Sequence, residues 1–430
     1  MRLHRRRRVR PIVMIHPRRT GVVFLMVLLS VMTYIDRIII TIAGPGIIKE
    51  YSVSETQMGT VYSAYLFSYA IMMIPGGWFT DVAGPRVSLA VMAFGSALFT
   101  ALTTLGGSPG LGTYIGVVAA FLVIRLAMGV FASPMYPAAG RMSANWNPPH
   151  SRARVWGWIA SGAGFGGACT PLLFSWMRAH HGWRGSFWLA GAGSALLAAV
   201  WFWYVRDYPP AENRERRADH RRVSVPWKEL LTNRDLMLLT AGYVTVNYFE
   251  YIFFFWLYYY FGTIRKMGMD QGAIYTTLMW IAWILMTPLG GWVSDRLGAR
   301  FGLRNGRRAV VVGCLAISAI LVIIGSNVTG TIATVTLLCL SLGFAAATDA
   351  PYWAAAIDAS GKHSGTGSSI LNTGGNIGGM LAPTVTPLLA HWFGWSSGLY
   401  FGGVVVFLGI LVWFFLERQP ALRVEAEMAG

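Results

Sequence analysis

Cysteine, histidine and charge are scarce where chemistry would need them. The three cysteines in 430 residues, Cys169, Cys314 and Cys339, sit singly in apolar runs, which excludes a thiolate metal site or a disulfide framework and leaves them as small packing residues. All eight histidines fall in termini or loops, so no nucleophile–base pair and no ligand cluster arises inside the apolar runs. No enzyme activity, metal or cofactor is therefore expected. Charged residues are only 12% of the chain, against 55% hydrophobic and a mean hydropathy of +0.50, which excludes an ordinary soluble domain.

What is present are apolar runs of bilayer length. About 20 apolar residues span a membrane as a helix. Twelve such runs are predicted, at 20–43, 55–80, 86–106, 112–138, 151–177, 183–205, 235–263, 271–294, 307–326, 331–357, 364–391 and 396–416. The expected fold is an all-α integral membrane protein with twelve transmembrane helices in two pseudo-symmetric six-helix bundles. The bundles cover 20–205 and 235–416. A basic N-terminal arm (1–19), a charged linker (206–234) and a tail (417–430) flank them.

The net charge of +17 could suggest nucleic acid, but no stretch outside the runs is long enough for a basic domain. If both termini are cytoplasmic, that face carries all but seven of the 35 Lys and Arg residues, which is the positive-inside asymmetry. Lys49, Arg178, Arg184, Arg265 and Lys266 fall outside, and Arg37 and Arg125 fall within the membrane. A multi-pass protein of a bacterial inner membrane is expected. Its partner is the lipid bilayer, and it functions as a monomer.

A duplication supports two halves. Gly76-Gly77-Trp78-x-x-Asp81-x-x-Gly84-x-Arg86 returns 214 residues later as Gly290-Gly291-Trp292-x-x-Asp295-x-x-Gly298-x-Arg300. Paired glycines let two helices touch. The Asp at a helix end can meet backbone N–H groups and an Arg across the turn. Gly77, Asp81 and Arg86, with Gly291, Asp295 and Arg300, are thus candidates for a conformational latch. Gly166-Gly167-x-x-x-Pro171 echoes as Gly378-Gly379-x-x-x-Pro383 at an offset of 212.

The candidate site residues are polar groups where a membrane tolerates few. Asp36 and Arg37 lie well inside the first run and Arg125 lies near the middle of the fourth. An intramembrane charge normally faces a partner or a watery cavity. Tyr62, Tyr65 and Tyr69 share one helix face, which suits either core packing or a hydroxylated ligand. The 214 offset places Glu250 on Asp36 and Tyr248 on Tyr34, so each half carries a Tyr-x-acid at one depth. Glu250 could carry protons or simply hydrogen-bond its neighbours. Asp349 is its weaker rival.

These pieces resemble the anion:cation symporter family of the major facilitator superfamily, which includes galactonate, glucarate, hexuronate and phthalate transporters. The matching residues are Tyr34-x-Asp36-Arg37, Tyr69-Ala70, Ile74-Pro75-Gly76-Gly77-Trp78, Arg125-x-x-x-Gly129, Pro137, Pro351-Tyr352-Trp353 and Asn372-Thr373-Gly374-Gly375-Asn376-Ile377-Gly378-Gly379. The resemblance implies proton-coupled carriage of a small organic anion by alternating access. It implies that Asp36 takes up protons, that Arg37 meets the substrate carboxylate, and that Arg125 links the two. Tyr34, Tyr69, Trp353 and Asn372 are expected near the substrate, a sugar acid being favoured over an aromatic acid such as phthalate. Protonation of Asp36 is expected to free Arg37 from an ion pair. One departure is Ala132, where relatives have a titrating Glu; Glu250 is expected to replace it, and a uniporter or exchanger is the alternative. A non-transporting membrane sensor is a remote one.

Overall fold

The computed structural model describes residues 17–147, 149–209, 227–360 and 364–416. Most of the arm, linker and tail expected from the sequence lie outside them. The described residues are helical, with no strand among them.

The chain runs as α1 (Pro17–Tyr51), α2 (Glu55–Ala83), α3 (Pro85–Leu102), α4 (Leu111–Ile115), α5 (Val117–Ala132), α6 (Met135–Trp146), α7 (Pro149–Tyr204), α8 (Trp227–Leu231) and α9 (Arg234–Tyr259). It continues as α10 (Met269–Phe301), α11 (Leu303–Asn327), α12 (Thr331–Ala346), α13 (Asp349–Ser360), α14 (Ser364–Phe393) and α15 (Trp395–Phe415). Each of the twelve apolar runs overlaps one or more of these helices, although 86–106 runs past the end of α3 and 235–263 past the end of α9. Among the described residues, eight helical stretches are long and apolar enough to cross a membrane. Two predicted runs merge in α7, where Gly182 breaks the helix at φ 67°. Two others are each divided, at Ser133–Pro134 between α5 and α6 and at Ala347–Thr348 between α12 and α13.

Local signals explain the boundaries. The Ser54 hydroxyl accepts from the Gln57 N–H at 3.1 Å, and the Gln57 side chain accepts from the Ser54 N–H at 2.9 Å, a reciprocal cap that starts α2. Gly84, at φ 85°, makes the turn into Pro85 at the first position of α3.

α1 begins and α15 ends at one face of the bundle, the termini face; α1 ends and α2 begins at the opposite, far face. Two seams join the half containing α1–α7 to the half containing α9–α15: α2 lies on α14, and α7 on α10. At the first seam the Ser63 hydroxyl donates to the Met380 carbonyl at 2.6 Å. At the second the Thr277 hydroxyl donates to the Ala168 carbonyl at 2.9 Å. Ser63 and Thr277 are related by the 214 offset, and Ala168 and Met380 by the 212 offset. The two clasps are therefore copies of each other.

The far face adds Tyr259 donating to Glu55 and Ser175 donating to Asp270 at 3.3 Å. Among the described residues, hydrogen bonds at the termini face stay within a half, as in Asp81–Arg141, Arg86–Phe202 and Arg307–Asp358. Among the described residues, the halves are thus clasped to each other by hydrogen bonds at the far face and not at the termini face.

Candidate functional site

The structure brings Arg37 to the boundary between the halves. Its guanidinium donates to the Tyr251 hydroxyl and lies over the rings of Tyr34, Tyr65 and Tyr251 at 5.5, 5.6 and 4.9 Å from their centroids. Only 6% of Arg37 is exposed, and no carboxylate pairs with it among the described residues. Tyrosine faces offset part of the cost of burying that charge. They leave it without a counter-anion, and a desolvated cation without one strongly favours an incoming anion.

The expected Asp36–Arg37 ion pair is absent. Successive residues on a helix point about 100° apart. Asp36 turns into its own half and accepts from the Ser194 hydroxyl at 3.0 and 3.2 Å. Protonating Asp36 therefore cannot free Arg37 by breaking a direct bond between them.

Arg125, 1% exposed, does not reach the Asp36 carboxylate by a hydrogen bond either. It donates to the backbone carbonyls of Arg37 at 3.1 Å and Asp36 at 3.5 Å, and sits 4.7 Å from the Tyr65 centroid. The Tyr65 ring thus touches both guanidiniums. These bonds tie Arg125 to the turn of α1 from which Arg37 projects. Arg125→Gln is expected to lower proton-driven uptake and anion exchange in parallel, by roughly 5- to 100-fold, as loss of about 1–3 kcal/mol of charge-assisted bonding implies. Initial rates of both in liposomes check this, and selective loss of accumulation would contradict it.

The other predicted residues divide between the halves. Tyr69 stacks on Tyr65 with centroids 5.9 Å apart, and Tyr34 meets Trp280 edge-on at 6.2 Å. Both join the Arg37 cluster. Trp353 and Asn372 make no hydrogen bond or ring contact with it. The Trp353 indole donates to the Tyr243 hydroxyl at 3.1 Å. The Asn372 carbonyl accepts from the Asn376 amide at 2.9 Å, and its own amide is half-buried without a hydrogen bond among the described residues. Glu250 is buried and accepts from the Trp283 indole at 3.2 Å.

Sequence reasoning named Tyr65 only as one of three tyrosines on a shared helix face, and it missed Tyr251 and Trp283. The signal for Tyr251 was available, because it stands 214 residues after Arg37, the offset that singled out Glu250. Trp283 stands in the same register with Tyr69.

The latch differs in detail from expectation. Asp81 pairs with Arg141 of α6, not with Arg86. The Arg86 guanidinium donates to the Phe202 carbonyl, and its backbone N–H donates to Asp207 at 2.8 Å. Asp295 and Arg300 are exposed and form no ion pair among the described residues. The closest approaches belong to Gly76 and Gly290; Gly77 has room, and a Cβ on Gly291 would come within 3.0 Å of the Ala350 side chain. A Cβ on Gly76 would come within 2.8 Å of Ser133 Oγ, and one on Gly290 within 1.9 Å of the Ala347 carbonyl. Ser133 and Ala347 are again 214 apart, so each glycine seats its helix on the break of a neighbouring one. Asp358, in the last turn of α13, forms an ion pair with Arg307 at 2.7 Å.

Two crevices of 330 and 380 Å³ lie away from this cluster. One runs between α1 and α7 and the other along α3, and their linings are hydrocarbon apart from Thr170 and Ser194. Neither suits an anion.

Comparison with known proteins agrees with this architecture. Residues 26–360 and 299–430 match the Major Facilitator Superfamily. A Cupriavidus necator protein named "Probable sulfoacetate transporter" is 31% identical over 94% of this chain and 95% of its own length. The hexuronate transporter of Bacillus subtilis is 29% identical over 91% of this chain and 93% of its own. Among solved structures, a bacterial homologue of the human lysosomal transporter Spinster, inward-facing and occupied, superposes with a TM-score of 0.79. It covers 94% of this chain and 99% of its own at 19% identity, a likeness of fold alone.

Proposed function

The chain belongs to the Major Facilitator Superfamily, and from that premise we propose that it carries a small organic anion across a bacterial inner membrane by proton symport. Both termini are cytoplasmic in this reading. The units 20–205 and 235–416 rock about Arg37, which lies between them, as the midplane site of such folds does. The observation that carries the proposal is Arg37 itself: a buried guanidinium at the boundary between the halves, surrounded by tyrosines and lacking a carboxylate. An anion supplies the missing charge, and the planar fork of Arg suits a carboxylate or sulfonate.

The tyrosines around Arg37, with Asn372 and Trp353 in the other half, suit a hydroxylated acid such as a hexonate or hexuronate. Relatives named for hexuronate and sulfoacetate support the anion class. Asp36 and Glu250 are the proton carriers in this reading. Asp36 acts on Arg37 through the α1 backbone that Arg125 holds, because no direct bond joins the two side chains.

The test is uptake of labelled glucuronate, galactonate, sulfoacetate and phthalate by liposomes containing the purified protein. It is run with and without an acid exterior, and with a protonophore. Saturable uptake of one of the first three, concentrated only under the pH gradient and dissipated by the protonophore, is expected. Uptake that ignores both conditions would make the protein a uniporter or exchanger. Preference for phthalate would overturn the sugar-acid reading, and no uptake of any of the four would overturn the proposal.

A further inference from the structure

Glu250 has a partner that the transport reading leaves out. Tyr243, Asn247 and Glu250 follow at i, i+4 and i+7 on one face of α9. Asp349 and Trp353, four apart, present one face of α13 to it. Asp349 is 7% exposed, and its Oδ1 is fully buried with no hydrogen-bond partner among the described residues. α13 packs on α9, and the Trp353 indole meets the Tyr243 hydroxyl at 3.1 Å, which brings Asp349, one turn before Trp353, to the face of α9 that carries Tyr243, Asn247 and Glu250.

Among the described residues, no cation pairs with either acid. From α1 the facing groups are Tyr34 and, beyond Tyr251, Arg37, whose guanidinium is engaged with Tyr251. From α10 Trp283 contributes an indole donor but no charge. Besides Asp349, α13 offers Tyr352, whose hydroxyl turns to the Gly409 carbonyl at 3.5 Å. No charged residue of α12, α14 or α15 acts on the pair. Two carboxylates sharing a desolvated site cannot both remain ionised without a counter-charge.

Resting on the transport reading, we propose that Glu250 and Asp349 form one proton-binding site, holding a single proton between them. Trp353, through Tyr243, links its release to occupation of the substrate site. The indole of Trp353 donates to the Tyr243 hydroxyl. That bond leaves the Tyr243 O–H free to donate to whichever carboxylate is ionised. A substrate that draws the Trp353 indole away leaves Tyr243 without its donor and weakens its hold on that carboxylate. The site then keeps its proton while substrate is bound. After substrate leaves, the acid O–H bond breaks and the proton passes to water entering from the termini face.

Two experiments test this. The first needs no transport: infrared spectra of the purified protein through a pH titration follow the C=O band of protonated carboxyl groups. In Glu250→Gln and in Asp349→Asn the midpoint of that band is expected to fall by about one pH unit or more, since each loses its like-charged partner. A contribution common to all three proteins belongs to Asp36. Unchanged midpoints in both variants would overturn the pair, whatever the liposome assays show.

The second measures pH-driven accumulation relative to counterflow. That ratio is expected to drop about tenfold or more in either variant, the loss of one coupled proton per unit of pH gradient. Trp353→Phe, which removes only the indole donor, is expected to shift the pH profile of counterflow. Parallel loss of accumulation and counterflow in both carboxylate variants would make the pair structural. Accumulation that requires sodium in place of a pH gradient would make it a metal-cation site. Either result overturns the proposal. Absence of all wild-type transport, with the infrared shifts intact, would overturn the transport reading and leave the proton site standing.

Discussion

Arg37→Lys is expected to weaken anion binding roughly 10- to 150-fold, because a charge-assisted hydrogen bond is worth about 1.5–3 kcal/mol. The charge survives this change but its geometry does not. A guanidinium is planar and donates two parallel bonds, whereas an ammonium is a compact, strongly hydrated point. Arg37 also lies against three tyrosine rings, at 4.9 to 5.6 Å from their centroids. Flat stacking suits the guanidinium, while lysine would have to shed tightly held water for the same contacts. The measurement is half-saturation of counterflow, together with ligand-induced thermal stabilisation in detergent. Both should move by a similar factor. Wild-type affinity in the lysine variant would mean that Arg37 holds helices together and does not grip substrate. Tyr251→Phe is the companion: it removes the hydroxyl that accepts from Arg37 and is expected to have a smaller effect of the same sign.

Gly59→Val should change which face is open. A Cβ at Gly59 would come within 2.0 Å of the Pro383 carbonyl oxygen. That contact lies on the α2–α14 seam, one turn of α2 from the Ser63 clasp. A backbone carbonyl cannot turn aside as the end of a side chain can, so the helices must separate. Overpacking of this kind costs about 1–3 kcal/mol, a shift of roughly 5- to 150-fold in the balance between sealed and open far faces. Spin labels at Ser52 and Thr329, both exposed at the far face, should move apart in the variant. Transport should fall while the protein stays folded. An unchanged distance with lowered stability would place the strain inside one half.

Much of the fold was legible because a membrane imposes few rules and each leaves a trace. Backbone polar groups in hydrocarbon must be satisfied within a helix, so apolar length alone marks a helix. Each of the twelve runs overlaps helix over most of its length. Their subdivision was less legible. The breaks at Ser133–Pro134 and Ala347–Thr348 interrupt continuously apolar sequence and are stabilised by glycines of another helix, a tertiary effect invisible to any window.

The same limit applies to the site. Arg37, Arg125 and Asp36 stood out because charge in an apolar run is rare. What each touches depends on side-chain direction, and adjacency in sequence misled: Asp36 and Arg37 are neighbours that face apart. Tyr65 was visible only as part of a stripe that suits core packing as well as a ligand, and Tyr251 was hidden among 18 tyrosines, since an aromatic residue in a membrane helix is ordinary. Glycine pairs carried the opposite hazard. The motif draws attention to both members, but only Gly76 and Gly290 meet a neighbouring helix break at close range.

The bond from Arg37 to Tyr251 joins two positions 214 residues apart, the spacing at which the chain repeats itself. A residue that touches its own counterpart in the other repeat straddles the axis relating them. In a two-fold dimer of identical chains, an ancestor in which each repeat was a separate molecule, that spot would hold the same side chain twice. Two arginines there would repel at short range in a medium that screens poorly, and two tyrosines would leave no charge for an anion. Once the copies diverge, one side of the axis can keep the cation while the other becomes its hydroxyl cradle. The site then holds a single positive charge when empty, where a symmetric pair would have to hold two or none.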